Sequence, residues 1–116
     1  MTQLVVERKS LMETIGVDAE FLNTLIGIFL ADCPEKLSAI RAGMVTRERR
    51  EVVNALHSLK GAVSIFGARR VVDAIQSLES IGPEWKQEEL VEGIALLERE
   101  MALLTFTLKN IAMEPI

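Results

Sequence analysis

The sequence is poor in cysteine, which crosslinks small proteins, and in aromatic residues, which favour sheets. Cys33 is the one cysteine among 116 residues, so no internal disulfide can form and a reducing compartment is expected. Tyrosine is absent, and the other aromatic residues are four phenylalanines and one tryptophan. Leu, Ile, Val, Ala and Met must therefore supply the core, and this composition suits helices better than strands.

Two further absences limit the range of functions. The chain has no basic surplus, because its net charge is −4, and this argues against a general nucleic-acid-binding protein. No apolar run approaches the length of about 20 residues that a transmembrane helix needs, so no membrane insertion is expected. Residues 1–10 include Glu7, Arg8 and Lys9 and do not resemble a signal peptide, which predicts a cytoplasmic protein.

The length is that of a single domain, 1–116, and its pattern is helical throughout. Five helices are predicted at about 4–14, 18–42, 46–66, 68–81 and 86–111. Glycines are expected to end several of them, and Pro34 is expected to bend the second near its middle. Short links between long amphipathic helices predict an all-α fold, an antiparallel up-and-down four-helix bundle with an additional N-terminal helix.

Predicted helix ends and apolar stripes follow from individual residues. Asp18 is the expected N-cap of the second helix and Thr46 that of the third. Four glycines are the expected stops of the first four helices: Gly16, Gly43, Gly67 and Gly82. The second helix has an apolar stripe at three-and-four spacing, made of Phe21, Leu22, Leu25, Ile28 and Phe29.

The third predicted helix has two contrasting faces. At about 100° per residue, its apolar side chains fall on one side: Val52, Ala55, Leu56, Leu59, Ala62, Val63 and Phe66. His57 points away from that side, and the outer face around it carries Arg50, Val53, Asn54, Lys60, Gly61 and Ser64. The only histidine of the chain is therefore expected to be exposed in the middle of a helix.

Exposed histidines are common on helix surfaces, so a function for His57 is inferred from its neighbours. Lys60 follows at i+3, where it can reach a group attached to the imidazole. Gly61 at i+4 costs a helix about 1 kcal/mol relative to alanine, and its expected use is access for another protein. Val53 and Ser64, together with Arg50 and Asn54, are candidates for a partner-binding surface.

The residues around His57 lack the parts of a self-contained active site. The third helix places no carboxylate to orient His57 and no Ser or Cys nucleophile beside it. One histidine and one cysteine on different helices do not make a metal site, so no metal site is predicted. No glycine-rich phosphate loop is present, so the chain is not expected to bind ATP. The chain therefore offers an exposed imidazole that can attack phosphorus when a partner protein supplies the other catalytic groups.

The run HSLKGA at residues 57–62, followed by FGA at 66–68, resembles the signature of the histidine-containing phosphotransfer (HPt) family. Leu78-Glu79 resembles the family's Leu-Glu near the end of the next helix, and the resemblance extends over about 18–108. Since one domain accounts for the chain, a standalone bacterial module of this family is expected.

The resemblance implies a phosphoryl carrier rather than an enzyme. It implies that His57 is phosphorylated, that Lys60 neighbours the phosphoryl group and that Gly61 gives access to a receiver domain. It implies no cofactor of the chain's own, with Mg²⁺ supplied by the partner receiver. The implied partners are a hybrid sensor histidine kinase as donor and a response regulator as acceptor, bound by a monomer. Family members often add a polar residue from the adjacent helix, for which Gln76, Glu79 and Arg70 are the candidates.

Two other interpretations remain open at this point. The same face could bind a receiver or a kinase without chemistry and sequester it. The chain could also be a structural bundle whose outer helix face mediates oligomerisation. Detection of phosphohistidine separates the carrier from both.

Overall fold

The computed structural model describes residues 7–81 and 86–115, and those residues form helices joined by short links. The helices are α1 (Arg8–Ile15), α2 (Ala19–Thr46), α3 (Arg49–Ser64), α4 (Arg69–Glu79) and α5 (Gln87–Met113). α3 packs between α2 and α4, and α5 packs on α4 and α2, which closes a four-helix bundle. α1 packs on α2 as an additional N-terminal helix. The predicted all-α bundle is confirmed.

The N-terminal helix and the start of α2 follow the predicted capping residues. Gly16 ends α1 in the left-handed region at φ 81°, a conformation that glycine adopts without strain. The side chain of Asp18 caps α2, because Oδ1 accepts a hydrogen bond of 2.8 Å from the Phe21 amide. Predicted helical residues 4–6 and the predicted stop at Gly82-Pro83 lie outside the described residues.

α1 packs at one end of the bundle, where the start of α2 lies beside the end of α5. It meets α2 at 94° and buries Leu11 in the core. The Arg8 guanidinium donates hydrogen bonds to the carbonyl oxygens of Ile111, Glu114 and Pro115 at the end of α5, at 2.6 to 2.9 Å. Within the described ranges no single helix is long and apolar enough to cross a membrane, although α1 and α2 taken together, as a bent pair, have sufficient length and apolar composition.

The predicted boundary between the second and third helices was wrong. α2 continues past Gly43 to Thr46 and ends at Arg47, whose φ of 61° is left-handed. Thr46 therefore belongs to α2 rather than capping α3, which begins at Arg49. Pro34 removes one amide donor but does not end α2, because buried Phe29, Cys33 and Ile40 hold the helix on both sides of it. The first helix was predicted to begin at about residue 4, but α1 begins at Arg8 with Glu7 as its N-cap. The remaining bounds differ from the predictions by one or two residues, as helix ends commonly do.

Gly43 is a packing residue instead of a helix stop. It is buried where α2 crosses the start of α3. A Cβ at this position would lie 2.6 Å from Cγ2 of Val52 and 3.4 Å from the Glu48 carbonyl oxygen. The two helices can approach this closely because residue 43 has no side chain.

The core is built from the aliphatic residues that the composition predicted. Fully buried side chains come from all four helices of the bundle: Leu22, Ile26, Leu59, Val63, Ile75, Leu97 and Leu108. The rings of Phe29 and Phe66 pack edge to face with centroids 5.2 Å apart, joining α2 to the turn that follows α3. α3 thus has one face fixed against its neighbours, and the opposite face is free.

Replacing Gly43 with alanine is expected to lower the free energy of unfolding by about 1–2 kcal/mol, because the overpacking against Val52 outweighs the gain in helix propensity. Gly27→Ala is the matched control in the same helix, since Gly27 is exposed and no described atom lies within 4 Å of its added Cβ. That variant is expected to be at least as stable as the wild type in urea unfolding. Equal stability of the two variants would contradict the packing role of Gly43.

Candidate functional site

His57 lies near the middle of α3 on the face turned away from the core. The predicted core side is confirmed, with Val52, Leu56, Leu59 and Val63 all buried. His57 itself is exposed, as predicted. Because the helix is held by its opposite face, the imidazole is presented to solvent on a backbone that does not depend on it for packing.

Lys60 forms the main polar contact of this face. Its Nζ donates a hydrogen bond to Oε1 of Glu79 at 2.8 Å, and about a quarter of each side chain is exposed (27% and 24%). A long helical side chain leans toward the N-terminus of its helix, so Lys60 extends toward the turn that carries His57. Glu79 is the last residue of α4 and shares a groove with Val53 and Leu56 of that turn. The contact therefore places a carboxylate of the adjacent helix beside the histidine turn.

The other two candidates from α4 are placed differently. Arg70 is engaged with α5, where its Nη2 donates to Oε2 of buried Glu100 at 2.9 Å. Gln76 is exposed one turn before Glu79. Of the three residues left open by the sequence, Glu79 is the one whose side chain contacts a predicted site residue.

Gly61 leaves open space beside the histidine. No described atom outside its own helix turn lies within 4 Å of a Cβ built at this position. Arg50, Val53 and Asn54 are exposed on the same side, with 41% of Val53 accessible. An exposed patch of this kind, with open space at Gly61, can be approached by another protein.

Ser64 is also exposed, but its hydroxyl is turned back onto α3. Its Oγ donates to the Lys60 carbonyl oxygen at 2.7 Å. This local hydrogen bond occupies the donor, so an incoming partner would find an acceptor oxygen here. The partner-binding role of Ser64 stays a prediction.

Two exposed apolar residues near the site were not predicted from the sequence as site residues. Ile28 of α2 is 55% exposed, and Ile65, which follows Gly61 by one turn, is 49% exposed. Both line an apolar groove of about 110 Å³ between α2 and α3, together with Leu25 and Ala62. Ile28 and Phe21 both belong to the apolar stripe of the second helix that the sequence predicts, yet both are exposed, Phe21 to 51%. The sequence did contain an indication, because the apolar positions of α2 extend around more of the helix than its buried face covers.

The cysteine lies in the core beneath this groove. Cys33 is 5% exposed, and burial raises the pKa of its thiol, with Lys36 acting weakly in the opposite direction. A buried thiol of raised pKa is a poor nucleophile, so it behaves as a small apolar residue. Over residues 7–81 and 86–115, the structure holds no cluster of three or more His, Cys, Asp or Glu side chains that could bind a metal ion.

Comparison with protein families matches the model of the Hpt domain to residues 24–106. The match includes α3 with His57, all of α4 and most of α2 and α5. The chain belongs to the Hpt domain family. Hpt domains are phosphoryl carriers of two-component signalling that use a histidine, have no ATP site of their own, and interact with receiver domains of kinases and response regulators. Searches of curated proteins and of solved structures gave no match to this Hpt domain.

Gly61→Ala is expected to raise the free energy of unfolding of this Hpt domain by about 1 kcal/mol, because a mid-helix glycine with free space around it costs stability. His57→Ala is expected to change it by less than about 0.5 kcal/mol, since the side chain is exposed. Gly67→Ala is the control, and it should lower stability by about 1 kcal/mol because residue 67 has a φ of 63°. Urea unfolding measures all three, and a destabilised Gly61→Ala variant would contradict the open geometry.

Proposed function

We propose that this Hpt domain relays a phosphoryl group between receiver-domain aspartates in a multistep two-component phosphorelay, with His57 as the phosphorylated residue. The proposal rests on one observation. The chain's only histidine is exposed on α3 opposite the core, with Lys60 one turn away and open space at Gly61, inside the segment that matches the family.

The proposed step is a transfer between two energetic phosphoryl carriers. The lone pair of an imidazole nitrogen forms the new N–P bond, and the P–O bond of the receiver's aspartyl phosphate breaks with its electrons remaining on the carboxylate. The proton on the second ring nitrogen stays there or leaves to solvent. The receiver supplies the acidic pocket with Mg²⁺, while Lys60 offers positive charge to the transferring group. The step is reversible because neither product is a low-energy phosphate ester.

The apolar groove beside the site supports a docking role. Ile28 and Ile65 expose apolar surface on the same side of the bundle as Gly61, and Val53 exposes more on the other side of His57. Exposed apolar residues around a functional group are typical of a protein interface. We infer that they contact the receiver, with Arg50 and Asn54 at the polar rim.

The proposed partners are those that the resemblance to the HPt family implies. The donor is the receiver domain of a hybrid sensor histidine kinase, and the acceptor is the receiver domain of a response regulator. Because one face serves both, donor and acceptor bind in turn to a monomer, in the cytoplasm where receivers and ATP are found. The chain needs no cofactor of its own for this role.

A phosphotransfer assay tests the proposal. The wild type and His57→Ala would each be mixed with purified hybrid kinases and ATP, then followed for acid-labile, base-stable phosphate. Label is expected on the wild type and not on His57→Ala, because the variant lacks the accepting nitrogen and keeps its fold. Binding of a receiver without label would favour a sequestering module, and neither label nor binding would leave a structural bundle.

Gly61→Glu and Ile65→Glu are each expected to slow transfer from a receiver by about tenfold, an effect of about 1.4 kcal/mol. Glutamate adds bulk at the open position or a charge in the apolar groove, and both oppose docking. Val91→Glu is the matched control, since Val91 is 53% exposed on α5 and lines a different groove with Met44 and Val45 of α2. Second-order rate constants measure the effect. Equal slowing by Val91→Glu would place the docking surface elsewhere.

A further inference from the structure

Glu79 brings a negative charge to a site that must accept another one. Its contact with Lys60 is short, at 2.8 Å, and both side chains are mostly withdrawn from solvent. Another ion pair of α4 differs in both respects, because Arg69 and Asp73 are 3.8 Å apart and their side chains are 86% and 62% exposed. The Lys60–Glu79 pair is therefore the less screened of the two, and its charges act more strongly on their surroundings.

The surroundings of Glu79 are largely apolar. The groove that contains it lies between α3, α4, the end of α2 and the start of α5, and its walls include Val53, Leu56, Leu78, Ile81 and Ile94. Among residues 7–81 and 86–115, Arg49 is the other charged residue that lines this groove. Lys60 is the cation in hydrogen-bond contact with the carboxylate, so the two groups balance each other while His57 is unmodified.

Phosphorylation of His57 disturbs this balance. A phosphoryl group brings between about one and two negative charges at neutral pH, and it needs cations nearby. Lys60 then has two anionic partners, the carboxylate that already holds it and the phosphoryl group one turn away. A cation engaged with one anion stabilises a second anion less than a free cation would.

We propose that Glu79 sets how firmly His57 retains its phosphoryl group, by engaging Lys60 and so weakening the stabilisation of phosphohistidine. Glu79 is a positioning residue that acts through Lys60. Glu79 thereby favours onward transfer of the phosphoryl group. A carrier must release this group as well as accept it. The inference deepens the proposed function and rests on it to the extent that His57 must accept phosphoryl.

The test uses phosphoramidate as a small phosphoryl donor, so no partner protein has to be identified. The P–N bond of phosphoramidate breaks, ammonia leaves with the proton it needs from water, and the phosphoryl group forms an N–P bond with His57. Forward and reverse rate constants, with phosphoramidate and with added ammonia, give the equilibrium constant for phosphorylation. Phosphate-affinity electrophoresis at neutral pH separates the two forms.

Glu79→Gln is expected to raise this equilibrium constant by about fivefold, the size of one charge interaction at a partly exposed site. Glu79→Ala is the second variant and should change it in the same direction. Asp73→Asn, which removes a carboxylate from the exposed pair on the same helix, should leave it unchanged. An equilibrium constant for Glu79→Gln at or below that of the wild type overturns the inference.

A double-mutant cycle tests the route through Lys60. Lys60→Gln should lower the equilibrium constant, and Glu79→Gln should then give less than half of its former gain. The full gain in the Lys60→Gln background would show that Glu79 acts without Lys60 and would overturn the route. Failure of the proposed function would be seen in the kinase assay, where no receiver domain would phosphorylate the wild type. The comparison of the variants with phosphoramidate would not be affected by that result.

Discussion

The packing of one face of α3 determines the geometry of the whole site. Val52, Leu56, Leu59 and Val63 are buried between α2 and α4, and each such side chain contributes about 1.5–3 kcal/mol through burial. A helix anchored along one face has its opposite face fixed as well. His57 is thereby held in a defined direction although it makes no contribution to the core, which lets the histidine be exposed without being loosely placed.

The neighbouring helices complete the site with groups that α3 cannot supply. α2 adds the exposed Ile28 beside the groove, and α4 adds Glu79, which holds Lys60 at 2.8 Å. The exposed apolar groove and the Lys60–Glu79 ion pair therefore lie on opposite sides of α3. Gly43 supports this arrangement from a distance, because the close contact of α2 with the start of α3 depends on its missing side chain.

The sequence predicted best where the contrast between residues is local. The apolar and polar sides of α3 separate cleanly on a helical wheel, so both the core face and the exposure of His57 could be derived from it. Asp18 and Gly16 could be assigned because capping depends on residues within one turn.

Features that depend on residues distant along the chain could not be predicted in the same way. Lys60 and Glu79 are 19 residues apart, and the sequence left Gln76, Glu79 and Arg70 of α4 as equal candidates for the additional polar residue. Gly43 was taken for a helix stop, because glycine serves both helix ends and close packing and only the position of Val52 distinguishes the two. α2 ends at Arg47, which has a left-handed φ of 61°, and not at the predicted stop Gly43.

The central claim is that the phosphoryl group is bonded to the ring of His57. Because the sequence has a single histidine, an imidazole ¹⁵N spectrum of the protein contains one ring and needs no assignment. Recorded before and after phosphorylation by a receiver domain, it should show one ring nitrogen shifted and coupled to phosphorus while the other changes less. An unchanged imidazole in a protein that carries the label would place the phosphoryl group elsewhere and contradict this account.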